Sequence, residues 1–555
     1  MPPADDDRLT QDNAEPQPPT EPPDGGPRVP LTDWLARHIG LATLLVLPLW
    51  LLAFNGQWRV GADSASYRIV GRSLAEVGTY SYGLLPEAHV FPGLPVLLAG
   101  LQLLFGEGAL APVLLVNATA LGALLITYRL IRMRFEPWIA AAVTFGVALN
   151  SEVILHAQEI ATDVPFLLGV VTAWWGWEKV ERPKAQHGSL WSGSLLLMLG
   201  LALAASMRPT FWVLAVGWAV VSTYRLVRGP NRLHHGVMVG LIVVVGVTFV
   251  AIDPRFSGMN LFKGVYESRA VEAMGELDGG LLGTVFYVLG RKLTEGFFGE
   301  PMSPLGLVWA TPLLYGLWLA TRRAPLWGIT AWVLIGTTIV LSAEPRYYIM
   351  ILPVLWLGWV LYAQQVYRWT AAWMGRERGP QGDGQGWRSK LPADFAGWAM
   401  TFTLVCVPLL NTPAIINLIA EQRHPDFDTA YGDGRYAKLR PVAEALTAHT
   451  EPDQIILGPE GRVLSYWSRR TVIGDDQLFR VGGVNHAMSM FRTVEPDWGV
   501  FPAITHRHTD PDTYRLLDNR DRTAAIVAVD PVIPLGVNVD GVEWYLARPM
   551  EREGD

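Results

Sequence analysis

Between residues 39 and 420 the chain alternates apolar stretches with short polar loops. The first stretch runs from roughly Ile39 to Phe54, bracketed by Trp34 and Trp58, and indole rings favour the membrane–water boundary. Later stretches begin near Ala109, Trp138, Val164, Leu190, Phe211, Val237, Pro304, Leu326, Tyr347 and Ala396. Together they predict about eleven crossings, each near the ~20 residues that a spanning helix needs. The fold class that follows is an α-helical polytopic membrane protein.

Other stretches follow different patterns. From Gly61 to Gly83 the apolar residues Ala65, Ile69, Val70, Leu74 and Val77 recur on one helical face, while Arg68, Arg72 and Glu76 take the other. This spacing predicts an interfacial helix with Asp63 at its start. The next piece, FPGLPVLLAGLQLLFG from Phe91, has two prolines and too few apolar residues for a span, and reads as a re-entrant or interfacial helix. Asp253 to about Ser303 reads as a polar loop with Lys263, Arg269, Glu272, Arg291 and Lys292. From about Glu421, QIILG, TVIG and AAIVAV read as strands, and GRVLSYWSRR and YAKLRPVAEALTAH as helices. The expected organisation is a tail over 1–30, a membrane domain over 31–420 with outer loops at 57–108 and 253–303, and a small α/β domain over 421–555.

Charge sets the orientation. Basic residues fill alternate loops: Arg129, Arg132 and Arg134; Lys179, Arg182 and Lys184; Arg225, Arg228 and Arg232; Arg322 and Arg323; and a cluster from Arg368 to Lys390. By the positive-inside rule the N-terminus is cytoplasmic, the C-terminal domain is extracytoplasmic, and the chain sits in the plasma (inner) membrane. Asp63, Glu159, Asp163, Arg208 and Arg346 then share the outer face. Residues 1–30 carry Asp5-Asp6-Asp7 and many prolines, a composition expected to stay disordered, and acids stand where a signal peptide needs bases.

Composition agrees: 50% of the 555 residues are hydrophobic, 17% are charged and mean hydropathy is +0.23. A net charge of -7 and the lack of a basic, aromatic-interleaved patch exclude nucleic acid as a partner. The one cysteine, Cys406, lies in an apolar stretch, which excludes an intramolecular disulfide or thiolate cluster.

Four short constellations hold candidate chemistry. GADSASY places Asp63 just past the first span, where an ionisable group at a membrane mouth is a functional candidate. In HAQEIATDVPFLLGVV, Glu159 and Asp163 are spaced i, i+4 and would share one helix face. The plainer reading is a helix start, with Thr162 or Asp163 capping and Pro165 in the first turn. SMRPTFW sets Arg208 at another outer helix end, and SAEPRYYIMILP sets Glu344, Arg346, Tyr347 and Tyr348 at a third. Two outer cations beside acids at matching depth suit an anion such as phosphate. GPEGR, from Gly458, lacks the Lys-Ser/Thr of a phosphate loop.

In this order the motifs resemble the GT-C superfamily of integral-membrane glycosyltransferases, and within it family 39 and its bacterial relatives, which include protein mannosyltransferases and the lipid A aminoarabinose transferase. The resemblance covers roughly Trp34 to Tyr362. It implies a polyprenyl-phosphate-linked sugar as donor, a protein, lipid or glycan acceptor, contact with membrane lipid, and transfer on the outer face. By it Asp63 corresponds to the catalytic acid of the first outer loop and Asp163, with Glu159, to a second acidic position. Arg346 and Tyr347 would contact the donor phosphate, with Arg208 a further binding residue. Relatives often place Lys or Arg before the proline of the re-entrant helix; here that position is Phe91, and His89 is the substitute candidate. No cofactor is specified, and a divalent cation is left open. Inverting transfer needs a carboxylate to deprotonate the acceptor, opposite a leaving phosphate held by cations. The alternative is a transporter or flippase of lipid-linked intermediates, which would hold its binding charges nearer the midplane.

Overall fold

The computed structural model describes residues 39–86, 90–181, 190–228, 232–252, 280–299, 306–341, 344–375, 395–425, 427, 436–458, 460–474, 497–502, 527–539 and 542–550. The expected N-terminal tail lies outside them.

The first apolar stretch is α1, Ile39–Ala53. The amphipathic stretch is α2, Ala62–Glu76. A short antiparallel hairpin of β1, Ser81–Tyr82, and β2, Leu85–Pro86, leads to α3, Gly93–Phe105. The next apolar stretches form α4, Leu110–Arg132; α5, Pro137–Ala148; α6, Ser151–Ala157; α7, Asp163–Glu181; α8, Leu190–Met207; α9, Phe211–Arg228; and α10, Arg232–Ile252. Beyond it lie α11, Gly280–Tyr287, a π-helical turn over Val288–Leu293, and α12, Thr294–Phe298. Then come α13, Gly306–Arg323, and α14, Pro325–Leu341. A 3-10 turn, Pro345–Ile351, leads into α15, Leu352–Gly375, and α16, Phe395–Gln422, follows.

Among the described residues four helices are long and apolar enough to cross a membrane, or five if α5 and α6, bent by 59°, count as one span. The chain is an integral membrane protein. Several other apolar helices are shorter, and α7 is buried around most of its circumference, from Val164 and Phe166 to Trp174 and Trp177. Such a helix is specified by protein contacts, so its length is free to depart from bilayer thickness.

Two expectations change here. Residues 280–299, expected within a polar loop, are helical, because GLLGTVFYVLG is apolar and Phe297 and Phe298 are fully buried. Phe297 packs 5.1 Å from Trp356, and Phe298 packs 5.7 Å from Trp359. Glu159 and Asp163 do not share a helix: α6 ends at Ala157 and α7 starts at Asp163. The capping reading of this stretch fits better, since the Thr162 carbonyl accepts the Phe166 amide at 2.8 Å with Pro165 in the first turn.

Close packing of α7 on α8 depends on glycine. A Cβ on Gly200 would lie 2.3 Å from the Ala173 amide nitrogen, and one on Gly176 would lie 2.2 Å from that of Leu197. Small residues permit such backbone approach where lipid offers no competing hydrophobic drive. In α2, Ala65, Ile69 and Val70 are buried, and Gly71 meets Leu98 and the Pro95 carbonyl of α3.

The C-terminal segment forms α17, Arg440–His449; β3, Ile455–Gly458; α18, Gly461–Ser468; β4, Thr471–Gly474; β5, Trp498–Pro502; β6, Val527–Val539; and β7, Val542–Met550. The strands join in the order β4-β3-β5-β7-β6. β3 runs parallel to β4, with Ile455 opposite Thr471, and α18 makes the crossover that parallel pairing requires. β7 is antiparallel to both β5 and β6. Val442, Leu446, Ile456, Leu464, Val472, Val500 and Leu546 form the core of this segment.

Candidate active site

Asp63 stands in the first turn of α2. Gly61 caps that turn in extended conformation, and its amide donates to the Ser64 hydroxyl at 2.9 Å. The Trp58 indole donates to the same hydroxyl at 3.0 Å. These bonds define where α2 begins and therefore where Asp63 projects. The unsatisfied amides of a helix N-terminus favour a carboxylate there.

Two guanidiniums hold the carboxylate. Arg346 Nη1 donates to Asp63 Oδ2 at 3.0 Å, and Arg462 Nη1 donates to Oδ1 at 3.0 Å. Arg346 lies in the 3-10 turn that begins after Glu344, and its Nε is 2.5 Å from Glu344 Oε2. Arg462 comes from α18, 399 residues along the chain from Asp63. Burial alone would push the Asp63 carboxyl up. The guanidiniums of Arg346, Arg462 and Arg208 more than reverse this and hold it below the usual carboxylate range. The side chain is nevertheless 43% exposed, so it is charged and accessible together.

A second pair adjoins the first. Arg208, just beyond α8, donates to Asp163, the first residue of α7, whose side chain is 3% exposed. The Arg208 guanidinium lies 5.2 Å from the centre of the Tyr347 ring and that of Arg346 lies 5.8 Å from it. Tyr347 thus spaces two cations on its π system. The Tyr67 hydroxyl, one turn after Asp63, is 3.2 Å from Thr162 Oγ1 and ties α2 to the start of α7.

The structure therefore gathers Asp63, Asp163, Arg208, Arg346 and Tyr347. Glu159 pairs with a neighbour in sequence: it contacts His156 Nδ1 at 2.7 Å, and His156 Nε2 faces Glu152 at 3.5 Å. Against burial, which pushes it up, the charges of His156, Arg59 and Arg346 hold the Glu159 carboxyl below its usual range. His89 lies outside the described residues. Phe91 is buried beside Tyr80. Among the described residues no group of three or more His, Cys, Asp or Glu is placed to hold a metal ion, and the acids at the site are matched with guanidiniums instead.

Arg462 was not legible beforehand. GPEGR carries no phosphate-loop signature, and nothing near it in sequence points to Asp63. The basic face of α2, which resembles a solvated face, is where α18 docks. Arg68 and Arg72 lie 4.8 and 4.7 Å from the Tyr466 ring, and Tyr466 meets Trp58 edge-on at 4.5 Å. Arg469 of the same segment reaches Glu107 at 2.6 Å, and Glu107 also holds Arg72 at 3.1 Å. The hairpin joins in, with Tyr82 donating to the Val472 carbonyl and the Leu84 amide donating to Thr471 Oγ1.

No family model and no curated protein matches this chain. Solved structures do. ArnT from Cupriavidus metallidurans, bound to undecaprenyl phosphate, superposes with a TM-score of 0.55 at 16% identity over 93% of this chain and 98% of that one. Its apo state gives the same values. The oligosaccharyltransferase of Archaeoglobus fulgidus, tethered to an acceptor peptide containing the NVT sequon, reaches a TM-score of 0.51 at 13% identity over 85% of this chain and 70% of that one. At these identities the likeness is one of fold alone, shared with ArnT and with the archaeal oligosaccharyltransferase.

Proposed function

We propose that this chain is a membrane glycosyltransferase that moves a sugar from a polyprenyl-phosphate donor to an acceptor on the outer face, with inversion and with Asp63 as general base. The observation that carries the reading is an accessible, ionised carboxylate with two guanidiniums and Tyr347 around it, at the mouth of a GT-C fold. Asp63 takes the proton of the acceptor hydroxyl or amide as that atom bonds to the anomeric carbon. The bond from that carbon to the phosphate oxygen breaks, and polyprenyl phosphate leaves with the electron pair. Arg346, and Arg208 across the Tyr347 ring, supply the positive charge that compensates the phosphate as it leaves. Asp163 positions Arg208. The active face is extracytoplasmic, with the N-terminus inside.

The test is transfer by the purified protein from undecaprenyl-phosphate sugars to a panel of peptide, lipid and glycan acceptors. Asp63→Asn keeps shape and polarity but removes the base, so transfer should fall ~10²–10⁴-fold, the range for loss of a general base. Transfer that survives this change intact would falsify Asp63 as base. A donor that crosses the membrane uncleaved would point to the transporter instead.

A further inference from the structure

In this state both oxygens of Asp63 are engaged, Oδ2 by Arg346 and Oδ1 by Arg462. A carboxylate paired with a cation at each oxygen is ionised but weakly basic, even where lone pairs stay accessible. Release of one of the two guanidiniums would raise its basicity for the catalytic step.

The two are not equivalent. Arg346 is braced by Glu344 as well as Asp63, on a turn whose Tyr348, Ile349, Met350 and Ile351 are buried. Arg462 rides on α18, a helix of 8 residues. The residues at its two ends, Glu460 and Arg469, both adopt left-handed backbone, with φ of 51° and 55°. Such conformations are sparsely populated by non-glycine residues and often mark segments that change state. α18 meets α2 through the cation–π contacts of Arg68 and Arg72 with Tyr466 and the Arg462–Asp63 link, interactions that are individually weak, while its Val463 is buried in the core of the membrane domain.

Resting on the reading above, we infer that Arg462 is a ligand of the donor phosphate: in the resting site it clamps Asp63 Oδ1, and when donor binds it passes from the carboxylate to the phosphate, freeing the base. A phosphodiester presents a guanidinium with the same two-oxygen acceptor as a carboxylate. The exchange keeps charges matched. The incoming anion takes Arg462, Arg346 stays on Oδ2 to orient the carboxylate, and Oδ1 becomes available to the acceptor. The C-terminal segment thereby makes donor occupancy a condition for an active base, which disfavours proton abstraction before a donor is present.

Undecaprenyl phosphate binding, measured on the full chain in detergent, tests this apart from catalysis. The decisive background is Asp63→Asn, in which no carboxylate is left for Arg462 to clamp. There Arg462→Gln should weaken binding roughly tenfold or more, the scale of one lost charge-assisted contact. Arg462→Lys should recover part of the loss. Equal thermal midpoints for these proteins establish that the fold is retained; if Arg462→Gln lowers the midpoint, the Lys variant alone decides, with weakening of a few fold expected. Unchanged affinity in the variants, with wild type binding normally, overturns the role of Arg462 and leaves the transferase reading standing. Wild type that binds no undecaprenyl phosphate overturns both.

Discussion

Asp63 and Asp163 each meet a guanidinium, yet their surroundings assign them different work. The Asp63 side chain is 43% exposed and faces two arginines on separate elements. The Asp163 side chain is 3% exposed, and the Arg208 that it holds is 11% exposed. Removing one partner of a buried pair leaves the other charge uncompensated, at a cost of about 3–5 kcal/mol. Asp163→Asn should therefore lower the thermal midpoint in detergent sharply, while Asp63→Asn melts close to wild type. The opposite order would make Asp63 the structural acid and Asp163 the candidate for chemistry. Glu159 shows how local spacing misleads: i, i+4 to Asp163 places it on a shared face only if the helix continues, and the helix stops at Ala157.

At the scale of elements, α7 and α8 are matched at the level of backbone. Gly200 faces the Ala173 amide and the Gly169 carbonyl, neither of which can yield as a side-chain tip can. Gly200→Val should force the helices apart, costing about 1–3 kcal/mol or more for overpacking. Gly240 of α10 has open space where a Cβ would go, so Gly240→Val is the control and should melt near wild type. Equal midpoints for the two would show that the α7–α8 approach is not tight. The same interface bears on the proposed site, because α7 begins with Asp163 and α8 ends one residue before Arg208. A shift along it would separate the pair that supports the cation site.

For the whole molecule, the site is where three distant parts of the chain converge: the first outer segment, the turn before α15, and the C-terminal segment. All three must lie on one side of the membrane. On the orientation proposed from the alternation of basic loops that side is outside, so a reporter active only outside the cytoplasm should be active when fused after Asp555. Activity of a cytoplasmic reporter there would remove the outer-face site and the reaction built on it. The likeness to ArnT extends over 93% of this chain, so the C-terminal segment belongs to the shared architecture.

Much of this was determined by the sequence alone, because the forces concerned act over short stretches. Apolar length predicted where the helices run, while among the described residues only four of them, or five with the bent pair, are long and apolar enough to cross a membrane. The period of Ala65, Ile69 and Val70 predicted α2 and its buried face, and QIILG and TVIG coincide with β3 and β4. Asp63, Asp163, Arg208, Arg346 and Tyr347 were legible because each sits beside the end of an apolar stretch, where a charge is costly unless it is used. What tertiary structure decided was the pairing. Arg346 meets Asp63 across 283 residues and Arg462 meets it across 399, while Glu159 turns to a histidine three positions away. An ion pair depends on which helix ends meet in space, and that is set by packing of the whole chain, not by the residues beside the charge.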